Sequence, residues 1–110
     1  MSNKSDGLSK MMEFIGSRYT FTSENYPALA TLPKHRHKAF AVNHSAQHMM
    51  KSVGRISTEC EAFDHGGVMN QEALEEATVK MLINTLKLAE VLGLSATDLR
   101  RKVPQFMKSK

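Results

Sequence analysis

Two groups of residues in this 110-residue chain have types and spacings suited to chemistry. His44 and His48 stand four positions apart, which on a helix puts both imidazoles on one face. That geometry suits a transition metal, but a site needs a third ligand. His35 and His37 lie just upstream and His65 lies beyond, so surface or interface histidines are the simpler reading. The pair could also titrate near neutral pH and act as a base. The second group is acidic. Glu59, Glu61, Asp64, Glu72, Glu75 and Glu76 fall within residues 59–79, a stretch without Lys or Arg. If the chain folds back at Gly66-Gly67, Glu61 comes opposite Glu75 and Asp64 opposite Glu72. Repelling carboxylates of this kind are a remedy site for Mg²⁺, which prefers oxygen ligands. Acids in a first helical turn also serve the helix dipole, and acids near a loop are ordinarily solvated.

The elements that must position these groups read as helices. Leu8, Met11, Met12 and Ile15 follow an i, i+3, i+4, i+7 pattern, predicting a first helix over 7–18 with Ser5 or Asp6 as its cap. Residues 19–33 read as a connecting segment with a short helical turn after Pro27. From Lys34 to His65 the apolar residues Val42, Ala46, Met49, Val53, Ile56, Cys60 and Phe63 step by four and three alternately. This predicts a long helix whose apolar stripe, with Cys60 buried in it, faces a partner helix.

Gly66-Gly67 closes that helix and Asn70 caps the next, over about 71–92, which is apolar on more than one side and expected to be central. Gly93 stops it. Ser95 and Asp98 have capping-box spacing for a short last helix that Pro104 ends or kinks, leaving 104–110 as a basic tail. No useful strand alternation appears. The expectation is one all-α domain over 1–110: an N-terminal helix and connector to residue 33, then a helical core over 34–103 built on a long antiparallel helix hairpin.

Charge is segmented rather than uniform. The net +4 is composed of +5 over residues 1–58, −6 over 59–79 and +5 over 80–110. An acidic block between two basic arms weakens the reading of the whole surface as a nucleic-acid footprint. Basic clusters at Lys34, Arg36, Lys38 and at Arg100, Arg101, Lys102, Lys108, Lys110 can still neutralise phosphates non-specifically. No zinc-finger, glycine-rich phosphate loop, nucleophile elbow or H-E-x-x-H motif occurs. No apolar run approaches a membrane span, no secretory segment is evident, and Cys60 has no bridging partner in the chain, so a cytoplasmic, soluble protein is expected. The internal methionines suit core or subunit contacts, and the amount of apolar helix face predicts a homo-oligomer.

The run from Glu75 to Leu99, with its Leu88-Ala-Glu-Val-Leu-Gly-Leu-Ser segment, resembles the second core helix and following turn of the MazG-type all-α nucleotide pyrophosphohydrolases. Lys51-Ser-Val-Gly-Arg-Ile56 resembles that family's first core helix, and the similarity spans about 40–103. The resemblance implies an all-α oligomer that binds Mg²⁺ and splits a nucleoside triphosphate into a monophosphate and pyrophosphate. The family's metal signature is E-x-x-E on one helix and E-x-x-D on the other. Here Ser52 and Arg55 occupy the first pair of positions, and Ala77 and Lys80 the second, with Glu76 one residue away. A shift along the first of these helices would bring in Glu59.

The expectation from this resemblance is a MazG-like nucleotide-binding protein, degenerate or repurposed relative to the hydrolases. Arg55 and Lys80 would contact phosphate, and Lys80 would alternatively pair with Glu76. If catalysis survives, Glu59, Glu61, Glu75 and Glu76 are the candidate Mg²⁺ ligands. The alternative is a non-catalytic regulatory or interaction module that binds nucleic acid or a protein partner.

Overall fold

The protein's structure, a computed structural model, describes residues 6–108. Among these, every regular element is helical: α1 (Gly7–Arg18), α2 (His37–Asp64), α3 (Gln71–Val91) and α4 (Ala96–Lys108), with 3₁₀ turns at Pro27–Ala30 and Lys34–Arg36 between α1 and α2. No helix among the described residues is long and apolar enough to cross a membrane.

Local chemistry explains most of the boundaries. Asp6 caps α1, its carboxylate accepting from the Ser9 N–H at 2.9 Å, which satisfies one of the amides a helix start leaves without a partner. Ser5, the other candidate cap, lies outside the described residues. Asn70 does the same for α3 through the Ala73 N–H at 3.1 Å. At α4 the capping box is reciprocal: the Asp98 N–H donates to Ser95 Oγ at 3.1 Å and the Ser95 N–H donates to Asp98 Oδ2 at 2.9 Å. Gly66 and Gly93, with φ of 91° and 81°, follow the ends of α2 and α3, where a side chain would strain the left-handed backbone.

Helix α3 contacts both α1 and α2 and forms the axis of the molecule. It runs back along α2, tied near the loop by the Asn70 N–H donating to Glu59 Oε1 at 2.7 Å and further along by the Thr85 hydroxyl reaching Met49 Sδ at 3.2 Å. Most of the fully buried apolar and hydroxyl side chains on the two helices are small. Ala41, Ser45 and Ser52 are buried on α2, and Ala73, Ala77, Leu86 and Ala89 on α3.

Three expectations are corrected here. The apolar stripe from Val42 to Phe63 meets α3 only in part: Val42, Ala46, Met49 and Ile56 are half-buried, Met49 lying against Thr85 of α3, whereas Val53 and Phe63 are exposed; and Cys60 is exposed rather than buried in the stripe. The fully buried positions Ala41, Ser45 and Ser52 each precede a stripe residue by one, so the most buried line of the helix lies beside the stripe rather than along it. Small residues win because they let two backbones approach closely, which larger stripe residues prevent. The third correction concerns Pro104, which lies inside α4 rather than ending it, so 104–108 is helix and not tail. Its ring costs one backbone hydrogen bond, to the carbonyl of Arg100. Arg100 is exposed, so water can serve that group.

Candidate functional site

Helical spacing on α2 and α3 brings two polar rows face to face. His48, Lys51, Ser52 and Arg55 line one wall of a cleft between the helices, and Glu76, Lys80 and Asn84 line the other, with Ala73 and Ala77 between them; the cleft volume is about 310 Å³. The four positions that the sequence resemblance equates with an acidic signature, Ser52, Arg55, Ala77 and Lys80, therefore share this one cavity. Its charge is the reverse of an acidic metal site. Lys51, Arg55 and Lys80 oppose a single carboxylate.

That carboxylate, Glu76, accepts from Lys80 Nζ at 2.8 Å. The Lys80 ammonium, aided by the Arg55 guanidinium, holds the Glu76 carboxyl below the usual carboxylate range, so it is ionised at neutral pH. Arg55 also reaches along its own helix to Glu59, with Nε 3.9 Å from Oε2. Both cations keep more than half of their side chains exposed, so they are anchored by weak pairs and can turn towards a bound anion.

The four carboxylates expected as Mg²⁺ ligands are not gathered. Glu59 is occupied with the Asn70 N–H and Arg55, Glu75 accepts from Gln71 at 3.0 Å, Glu61 is exposed, and only Glu76 enters the cleft. Among the described residues no group of three or more His, Cys, Asp or Glu side chains converges to hold a metal ion. The donor set in the cleft does not fit Mg²⁺ either, because its sole carboxylate is paired and three cations surround it.

Behind the cleft lies a packed aromatic group that the connecting segment supplies. Phe40 stacks on His44 with centroids 5.7 Å apart and planes at 12°, and Tyr26 meets His44 edge-on at 4.7 Å. Phe21 bridges Tyr19, Tyr26 and Phe40. His44 and His48 face each other, Nε2 to Nε2, at 2.9 Å. One nitrogen must donate and the other accept, so the accepting ring is neutral while the bond is made, and only a proton on both Nε2 atoms breaks it. Burial among the rings, then the neighbouring His48 and Lys51, push the His44 pKa below its ordinary value.

Lys87 and Asn84 continue this group on α3, and both are buried. The Lys87 ammonium pairs with Glu90 and lies 5.4 Å from the Phe21 ring centre and 5.7 Å from that of Tyr19, within cation–π range. Asn84 Oδ1 accepts from the Tyr19 hydroxyl at 2.9 Å while its amide donates to the Lys80 carbonyl at 2.9 Å. Asn84 thus joins the cleft wall to the aromatic group.

Sequence reasoning singled out Arg55 and Lys80, and both line the cleft. It missed Lys51, Asn84 and Lys87. Lys51 and Asn84 carried a readable signal, since each is one helical turn from a residue already singled out. Lys87 carried none, because its burial depends on rings more than sixty residues away. No protein-family model, no curated protein and no solved structure matches this chain.

Proposed function

We propose that this chain is a MazG-like helical protein whose α2/α3 cleft binds a phosphorylated small molecule, a nucleotide first among them, without the metal-dependent hydrolysis of the enzymes it resembles. The observation that carries the reading is the convergence of Lys51, Arg55 and Lys80 on one cavity around a single, already paired carboxylate. Arg and Lys on facing helices supply charge-assisted hydrogen bonds to phosphate oxygens. Ser52 and Asn84 add neutral polar groups for orientation. A bound phosphate would draw Lys80 from Glu76 and Arg55 from Glu59, exchanging two exposed ion pairs for stronger bonds in a narrower space.

Isothermal titration with pyrophosphate and with nucleoside mono-, di- and triphosphates, each with and without Mg²⁺, tests this. Binding is expected to at least one member, weakened tenfold or more by Arg55→Ala or Lys80→Ala. Substitution at both positions is expected to abolish it. No binding to any member at millimolar concentration rejects the proposal. Mg²⁺-dependent pyrophosphate release that disappears in Glu76→Gln would show that hydrolysis has been retained.

A further inference from the structure

We propose that α4 is an arm exchanged between two copies of this chain, its apolar face seated in the groove between α1 and α3 of the other copy. Leu99, Val103, Phe106 and Met107 recur at i, i+4, i+7, i+8 along α4, the spacing of one helical face. At its base the arm is fixed: Ala96 is buried and Arg100 pairs with Asp6. Beyond that turn the apolar side chains are uncovered, with Phe106 71% and Met107 68% exposed.

The same chain carries a matching concavity. Phe14 and Ile15 of α1 and Val79, Leu82 and Ile83 of α3 line an apolar groove of about 490 Å³. No residue of α4 lines it, so the arm stands clear of its own groove. The groove shares no lining residue with the α2/α3 cleft, so the seating of the arm is tested apart from phosphate binding, although the shelf beside the groove shares Glu76 and Lys80 with that cleft.

Charge and size point to a second copy as the occupant. Through Val79 and Ile83 the groove runs into a shelf lined by Glu72, Glu75 and Glu76 with one cation, Lys80, which is paired with Glu76, so the shelf is acidic on balance. The arm carries Lys102 and Lys108, which make no ion pair among the described residues. The radius of gyration, 16.9 Å, exceeds the ~13 Å of a compact chain this long. The accessible surface, 8069 Å², exceeds the ~6,100 Å² expected for this mass by roughly 2,000 Å². That excess is of the order each subunit of an obligate dimer buries. Reciprocal exchange makes the same arm-in-groove contact twice and closes with two-fold symmetry, leaving no free arm or groove for a third copy.

Light scattering and sedimentation of the full chain at micromolar concentration are expected to give twice the 12.3 kDa of one copy. Phe106→Glu on the arm and Leu82→Glu in the groove should each raise the dimer dissociation constant at least a hundredfold. Both sites are exposed in the single copy, so the helical circular dichroism should be unchanged. In a Cys60→Ser background, chains carrying only Phe106→Cys mixed with chains carrying only Leu82→Cys should cross-link to each other on oxidation. A monomeric wild type overturns the proposal, as does a dimer that persists in both Glu variants. So does a doubly substituted chain that cross-links only within itself.

Discussion

Ser45 is completely buried on α2 and its hydroxyl makes no hydrogen bond of full geometry; it lies beside the Tyr19 hydroxyl, on which it acts, but that hydroxyl is committed to Asn84. A buried polar group left unpaired costs its desolvation, about 1–3 kcal/mol. Ser45→Ala removes the group and leaves a similar volume, so urea unfolding should show a neutral to ~1 kcal/mol more stable protein; a loss above that size would mean that the hydroxyl is paired. His44 makes a pH prediction with a definite sign. Its folded pKa is depressed below the ordinary 6.5, so near and below that value the unfolded chain binds the proton more readily. The contribution to stability is complete above about pH 6.5 and is lost as pH falls through the folded value. Melting temperature should therefore decline from pH 7.5 to 5.5, and His44→Phe, which keeps a ring in the aromatic group, should flatten that decline. At this scale the sequence exposed the His pair through its spacing. It could not expose the rings of Phe21, Tyr26 and Phe40 that bury His44, because Phe21 and Tyr26 come from a connector without periodicity.

Element boundaries were the most legible feature, because they depend on local chemistry. Asp6, Asn70 and the Ser95/Asp98 box act within three residues of the amides they satisfy. Ser95→Ala should cost about 1 kcal/mol by loss of the cap, read as a lower urea midpoint. Which face of α2 is buried was legible only in part, because hydropathy marks the most apolar side of a helix, whereas the fully buried positions Ala41, Ser45 and Ser52 are the small ones beside it. The two alternatives predict different costs. Phe63 is 57% exposed and Leu86 is buried. Phe63→Ala should then cost less than about 1 kcal/mol, and Leu86→Ala about 2–5 kcal/mol. Comparable losses at both positions would mean that Phe63 is covered as Leu86 is. Pro104 marks the other limit of local reading: its rule forbids a comfortable helix interior, yet α4 carries it where the freed carbonyl belongs to an exposed residue.

Across the whole chain, the charge segments of +5, −6 and +5 acquire positions in space. Part of the acidic segment, Glu72 and Glu75, forms the shelf beside the apolar groove; the last basic segment includes Lys102 and Lys108 on the exposed arm. The first segment contributes Lys51 and Arg55 to the cleft, where Lys80 meets them. An arm exchanged between copies would thus bring positive charge onto negative at the rim of an apolar contact. Rim charges of this kind are screened by salt, because the screening length shrinks from about 10 Å at 0.1 M to about 3 Å at 1 M. The apolar contact itself is not weakened in the same way. Raising sodium chloride from 0.1 to 1 M should therefore increase the dimer dissociation constant several-fold without abolishing the dimer, as followed by sedimentation. In Lys102→Gln/Lys108→Gln the dimer should start weaker and the salt response should nearly vanish. A wild-type response that survives unchanged in that variant would assign the attraction to other charges and remove the acidic shelf from the interface.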